Sequence, residues 1–244
     1  MKYFFDYNIK YQEVDADKRL RLPNMENYLI EVAGTVADQL NFGIQRLHPE
    51  GKTWVLTRMA LLIDYLPTYL EHMTIETWIE SNAHMISTRN FRIYITEKDG
   101  SRRQIGECAT QWAVLDMVKR EIVNIFDRPI FDADAIDGER LDIPRAARML
   151  PITEPTGVVS HIVQYTDVDY NNHCNSCKYL EAMVNAARPD WLGHRIRLDI
   201  NYQHEVRLGE QIDTYYLMLP DGIQYQQKNA KGETSCAAKI TVLD

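Results

Sequence analysis

The chain contains itself twice, and this limits the folds open to it. Tyr11-Gln12-Glu13-Val14-Asp15 returns as Tyr165-Thr166-Asp167-Val168-Asp169, and Ile63-Asp64-Tyr65 returns as Ile200-Asn201-Tyr202. Cys108-Ala109 with Val114-Leu115-Asp116 returns as Cys236-Ala237 with Val242-Leu243-Asp244. Fragments repeated in the same order mean two related modules, each of which must bury its own apolar surface. A length of 244 residues allows two compact modules of ordinary size.

Each copy carries the same run of local patterns. In the first, a strand-like segment over residues 3–11 leads to a turn around Pro23-Asn24. Met25, Tyr28, Leu29, Val32, Ala33, Val36 and Leu40 then form one apolar stripe at helical spacing, which predicts a helix capped by Asn24 and ending near Phe42-Gly43. Residues 54–64, 73–81, 87–96 and 103–115 are rich in β-branched and aromatic side chains and read as hairpin strands, with Lys98-Asp99-Gly100 as a tight turn. In the second copy, a strand over 158–165 precedes a helix with Tyr179, Leu180, Met183, Val184 and Ala187 on one face, stopped by Arg188-Pro189. Strands follow at 196–202, 211–219, 223–228 and 234–243, with turns at Asp221-Gly222 and Lys231-Gly232.

Between the copies lie Pro129, Pro144, Pro151, Pro155 and an acidic patch from Asp132 to Asp137, which predict an ordered linker containing one short helix. The expected division is therefore an N-terminal module over 1–116, a linker over 117–157 and a C-terminal module over 158–244. One helix followed by about four antiparallel strands, used twice, is an α+β arrangement. Two antiparallel sheets, each wrapping a long central helix and joined edge to edge, make a tandem double hotdog.

The two copies differ where chemistry would sit. The second reads Asp169-Tyr170-Asn171-Asn172-His173 ahead of its helix, and the first reads Asp15-Ala16-Asp17-Lys18-Arg19. A carboxylate, an amide and an imidazole on one turn, facing a helix N-terminus, can orient water and stabilise an oxyanion. Asp and Asn in turns usually do no more than bond their own backbone. Loss of the set from one copy favours a specific task in the other. No cofactor is needed for that chemistry. Asp167, Asp169 and Asn171 match the opening ligands of a calcium loop, but Asn172 stands where its glycine is required and Lys178 where its closing Glu is required. Cys174-x-x-Cys177 has no second ligand pair, so no metal site is expected.

A net charge of -8 disfavours nucleic acid as a partner. No apolar run approaches the roughly 20 residues that span a bilayer. The opening Met1 to Tyr7 is interrupted by Asp6 and lacks a signal-peptide core, so a cytoplasmic location is expected. Cys108 and Cys236 fall at equivalent places in strand-like runs and read as buried thiols.

The segment from Tyr165 to Tyr179 is similar to the D-x-D-x-N-x-H-x-N-x-x-K-Y signature of the plant and bacterial acyl-[acyl-carrier-protein] thioesterases, and the resemblance extends over nearly the whole chain. It implies a double-hotdog hydrolase that cleaves fatty acyl-acyl carrier protein, releasing free fatty acid and ending fatty acid synthesis. Asp169, Asn171 and His173 are the catalytic residues it implies, joined by Glu205 in Asp199-Ile200-Asn201-Tyr202-Gln203-His204-Glu205. The residues alone do not choose Glu205, since a strand-end carboxylate is ordinarily a solvated group. Plant members carry Cys directly after this Glu, where the chain has Val206, so a covalent acyl-cysteine is impossible at that position. The implied partner is an acyl carrier protein bearing its fatty acyl chain, with a homodimer open beside a monomer. An acyl-coenzyme A thioesterase and a non-catalytic acyl-thioester-binding module are the alternatives. Which of Glu205 and Asp169 activates water stays open. Met25, Met59 and Met73 are candidates to line an acyl tunnel, with core packing as their default role.

Overall fold

The computed structural model describes residues 1–124, 135–191 and 193–243. The chain forms two compact units, one comprising residues 1–57 and 65–145 and the other residues 58–64 and 146–244.

In the first unit β1 (Tyr3–Asn8) precedes α1 (Leu22–Gln39), the short α2 (Ile44–Leu47), β2 (Lys52–Ile63), β3 (His72–Ala83), β4 (Ile86–Thr96), β5 (Arg102–Asp116) and β6 (Glu121–Val123). The sheet order is β1-β3-β4-β5, with β6 paired to β5, and each of these pairings is antiparallel. The apolar stripe of α1 is buried as its spacing requires: Met25, Tyr28, Leu29, Val32, Ala33 and Val36 are all inside. The helix starts two residues before the expected Asn24 cap. Pro23 occupies its first turn, where a missing N–H is no loss. Asn24 instead accepts a bond from Arg21 Nε at 3.1 Å.

The second unit holds β7 (Gly157–Ile162), α3 (Ser176–Ala186), β8 (Arg195–Tyr202), β9 (Gln211–Leu219), β10 (Gly222–Asn229) and β11 (Thr234–Leu243), in the sheet order β8-β11-β10-β9-β7. The second unit also includes residues Arg58 to Ile63 of β2, which pair antiparallel with β8. Tyr179, Leu180 and Met183 of α3 are buried. Asn175 caps this helix, its side chain accepting the Cys177 N–H at 3.2 Å.

In both copies the expected first strand is shorter than its apolar pattern. It stops at Asn8 or Ile162, and Tyr11–Glu13 or Tyr165–Asp167 forms one 3-10 turn instead. The closing acid explains the break: Glu13 accepts the Lys10 N–H at 2.9 Å and Asp167 accepts the Gln164 N–H at 2.8 Å, so a local side-chain bond replaces a ladder bond. Among the described residues 135–157 there is no α-helix. The expected linker helix and acidic patch fall partly on residues 125–134, outside the described set. Cys108 and Cys236 are fully buried. Met25, Met59 and Met73 are also fully buried.

The turn between β9 and β10 requires a glycine. Gly222 has φ 149°, and a Cβ there would lie 2.0 Å from the backbone oxygen of Ile240. Gly34, inside α1, has open space around the same position. Gly222→Ala is expected to lower the unfolding free energy by about 2 kcal/mol or more. Gly34→Ala should raise it by about 0.5–1 kcal/mol. Urea unfolding midpoints of the two variants check both signs.

Candidate active site

The Asp169 turn is built from its own backbone. The Asp169 N–H donates to the His173 carbonyl at 2.9 Å, the Asn172 N–H donates to the Asp169 carbonyl at 2.9 Å, and Asn172 takes φ 62°. Asp169 Oδ1 accepts the N–H of Asn171 at 2.8 Å and of His173 at 3.5 Å, closing the loop from inside. The turn is pinned to its surroundings by two further bonds. The Asn175 N–H reaches the Asp167 carbonyl at 2.8 Å, and the Cys174 N–H reaches the Val206 carbonyl at 2.7 Å.

That last bond brings the segment after β8 against the turn. His173 Nε2 stands 3.2 Å from Glu205 Oε2, and both side chains are part-exposed, at 18% and 27%. A charge-assisted contact of this length fixes the imidazole orientation and joins two groups able to exchange protons. Of the four residues expected at the site, His173 and Glu205 are in direct contact, Asp169 braces the turn that presents His173, and Asn171 lies on the same turn. The pair sits close to the N-terminus of α3, where the helix dipole favours negative charge.

Cys174 is buried, and burial, reinforced by nearby Asp167, pushes its thiol up to about 12. It is an un-ionised apolar group at neutral pH rather than a nucleophile. Among the described residues no group of three or more His, Cys, Asp or Glu side chains is placed to hold a metal ion.

The first unit reproduces the turn with other side chains on it. Asp15 N–H donates to the Arg19 carbonyl at 2.8 Å, Lys18 takes φ 62°, and Asp15 Oδ1 accepts the N–H of Asp17 at 2.9 Å and of Arg19 at 3.0 Å. The Leu20 N–H donates to the Pro67 carbonyl at 2.7 Å, as Cys174 does to Val206. Arg19 thus stands at the place of His173 and Leu66 at the place of Glu205. Arg19 Nη1 bonds the Leu66 backbone oxygen at 3.1 Å, and its guanidinium lies 4.6 Å from the centre of the Tyr65 ring.

Residues 1–130 match the acyl-ACP thioesterase N-terminal domain, and residues 154–242 match the acyl-ACP thioesterase C-terminal domain. The chain belongs to the acyl-ACP thioesterase family. An acyl-ACP thioesterase from Bacteroides thetaiotaomicron has the same fold at a TM-score of 0.86 and 26% identity, over 99% of this chain and 98% of that one. The 12:0-ACP thioesterase from Umbellularia californica shares the fold at a TM-score of 0.79 and 17% identity, over 99% and 97%. A chloroplastic palmitoyl-acyl carrier protein thioesterase of Arabidopsis thaliana is 20% identical over 195 residues, 75% of this chain and 46% of its own length. The chain spans about half the length of the curated plant relatives it matches.

Two residues to which the sequence reading gave no role stand near this candidate site. His161 lies 2.7 Å from Asp167, the acid that closes the 3-10 turn. Tyr179, which the periodicity placed on the apolar face of α3, accepts the Val206 N–H with its phenol oxygen at 3.1 Å. The sequence placed Tyr179 at the close of the quoted signature without giving its hydroxyl a partner, which a buried Tyr requires.

The shared Asp geometry makes a stability test. Asp15→Ala removes the side-chain acceptor of two backbone N–H groups and is expected to lower the unfolding free energy by about 1–3 kcal/mol. Asp15→Asn, which keeps the Oδ1 acceptor, should recover most of that. Thermal denaturation of the pair measures the difference.

Proposed function

We propose that the chain hydrolyses the thioester of fatty acyl-[acyl-carrier-protein] by direct attack of water, releasing free fatty acid. The observation that carries this reading is the 3.2 Å contact between His173 and Glu205 on a turn braced by Asp169, in a chain of the acyl-ACP thioesterase family. In this reading the protein is a double hotdog. The C-terminal module performs the chemistry, and the N-terminal module, with Arg19 and Leu66 in place of His173 and Glu205, accommodates the acyl chain.

A thioester carbonyl is electrophilic enough that hydrolysis needs an oriented water, a proton acceptor and donors for the oxyanion. Glu205 is the base that takes the proton from the attacking water. Asp169 is less suited to that role because its Oδ1 already serves two backbone N–H groups, and Asp15 makes the same bonds in a copy without the His and Glu. Asp169 therefore acts by holding the turn. Asn171 and His173 hold the thioester oxygen as charge develops on it. As the C–S bond breaks, the proton returns to the departing thiolate of the carrier arm through the His173–Glu205 pair. The Cys177 N–H is occupied by the Asn175 side chain, so α3 contributes its dipole rather than that donor.

The reading is tested with purified protein and a panel of acyl-acyl carrier protein substrates, following release of the carrier thiol with a thiol reagent and of fatty acid by chromatography. Hydrolysis of acyl-coenzyme A with the carrier substrates left intact, or tight binding without turnover, would overturn it.

His173→Ala and Glu205→Gln are each expected to lower kcat by about 10²-fold or more. Near-normal turnover in either would remove that residue from the mechanism. The double change Cys174→Ser with Cys177→Ser should keep most of the activity, and rapid quenching should trap no acyl-enzyme.

A further inference from the structure

Glu205 is not on a strand. It lies between β8, which ends at Tyr202, and β9, which starts at Gln211, so no ladder hydrogen bonds hold it. A carboxylate in such a segment faces its histidine only if neighbouring backbone groups are tied down. On one side, the N–H groups of Gln203 and His204 both reach the Ser235 carbonyl, at 2.9 and 3.2 Å. On the other side Val206 is fully buried and bonded through both of its backbone groups, its carbonyl to Cys174 and its N–H to the Tyr179 phenol oxygen at 3.1 Å.

Tyr179 is well suited to this role. It stands in the first turn of α3 and is 4% exposed, its ring set edge-on to Tyr202 with centroids 6.1 Å apart. Its backbone carbonyl accepts Gln227 Nε2 at 3.0 Å. Burial raises the phenol pKa, so the group stays neutral, its oxygen acting as a rigid acceptor.

The first unit provides an internal control. Its turn, its Asp acceptor and its carbonyl contact are all kept, yet Met25 stands where Tyr179 does and Pro67 where Val206 does. Methionine has no hydroxyl and proline has no N–H. Both ends of the bond are therefore absent from the copy that also lacks the His and Glu. If the bond served only folding, the first unit, which folds the same turn, would need it as well.

We infer that Tyr179 is a positioning residue for hydrolysis: by accepting the Val206 N–H it holds Glu205 against His173. This rests on the reading of Glu205 as base. Tyr179→Phe keeps the buried ring and removes only the acceptor. The variant is expected to lose about tenfold or more in kcat with KM unchanged within about twofold. The double variant Tyr179→Phe with Glu205→Gln should be no slower than Glu205→Gln alone, since the phenol acts through that carboxylate. The Val206 amide should exchange with solvent about tenfold faster in Tyr179→Phe than in the unaltered protein. Should Tyr179→Phe not fold, Val206→Pro, which copies Pro67, removes the other end of the same bond and should show the same selective loss in kcat. A Tyr179→Phe enzyme within twofold of normal kcat, a loss that multiplies with that of Glu205→Gln, or a loss carried by KM would each overturn the inference. An unaltered protein that releases no fatty acid from acyl-acyl carrier protein would fail the proposed function instead, while Val206 amide exchange would still report whether the bond exists.

Discussion

The bond on which both units depend is the one between an aspartate carboxylate and the amides of its own turn. Between the first strand and the central helix the chain must reverse within a few residues, and Lys18 and Asn172 pass through positive φ to do so. That conformation is uphill for a residue with a Cβ, though less so for Asn than for most. Asp15 and Asp169 offset it by supplying acceptors to amides that the turn has removed from any ladder. With the turn closed, Leu20 or Cys174 can donate outward to the segment after the next strand, and α1 or α3 enters at an angle that buries its apolar face.

Duplication of this device separates its two uses. In the first unit the turn carries Arg19, which reaches a backbone oxygen and lies over Tyr65. In the second it presents an imidazole to a carboxylate carried by a different segment. The scaffold tolerates the exchange because both side chains leave the turn on its part-exposed side, where neither His173 nor Arg19 has to fill a core position. The buried positions beneath stay apolar in both copies, with Leu20 in one and Cys174 in the other.

Much of the fold was legible from pattern. The strand runs, the α1 stripe and the tight turn at Gly222 follow from periodicity and from glycine at positive φ. The misjudged places have a common cause. The α1 start, the 3-10 turns and the reach of the first strands depend on whether a polar side chain satisfies a backbone group locally, and periodicity carries no information on that. Asp169, Asn171 and His173 stood out because they share one turn, and because the first copy keeps the Asp as Asp15 but has Asp17 and Arg19 in place of Asn171 and His173. Glu205 entered only through the family resemblance.

The sequence by itself determined that there are two related units, that each combines a helix bearing an apolar face with antiparallel strands, and that only one carries Asn and His on its turn. These are consequences of short-range order, written in neighbouring residues. Tertiary structure alone decided that Glu205 meets His173 and that Tyr179 bonds the amide next to it. Residues 173 and 205 are separated by a helix and a strand, and their contact depends on how α3 seats on its sheet. A Tyr on an apolar face reads as core until the packing shows what its hydroxyl touches.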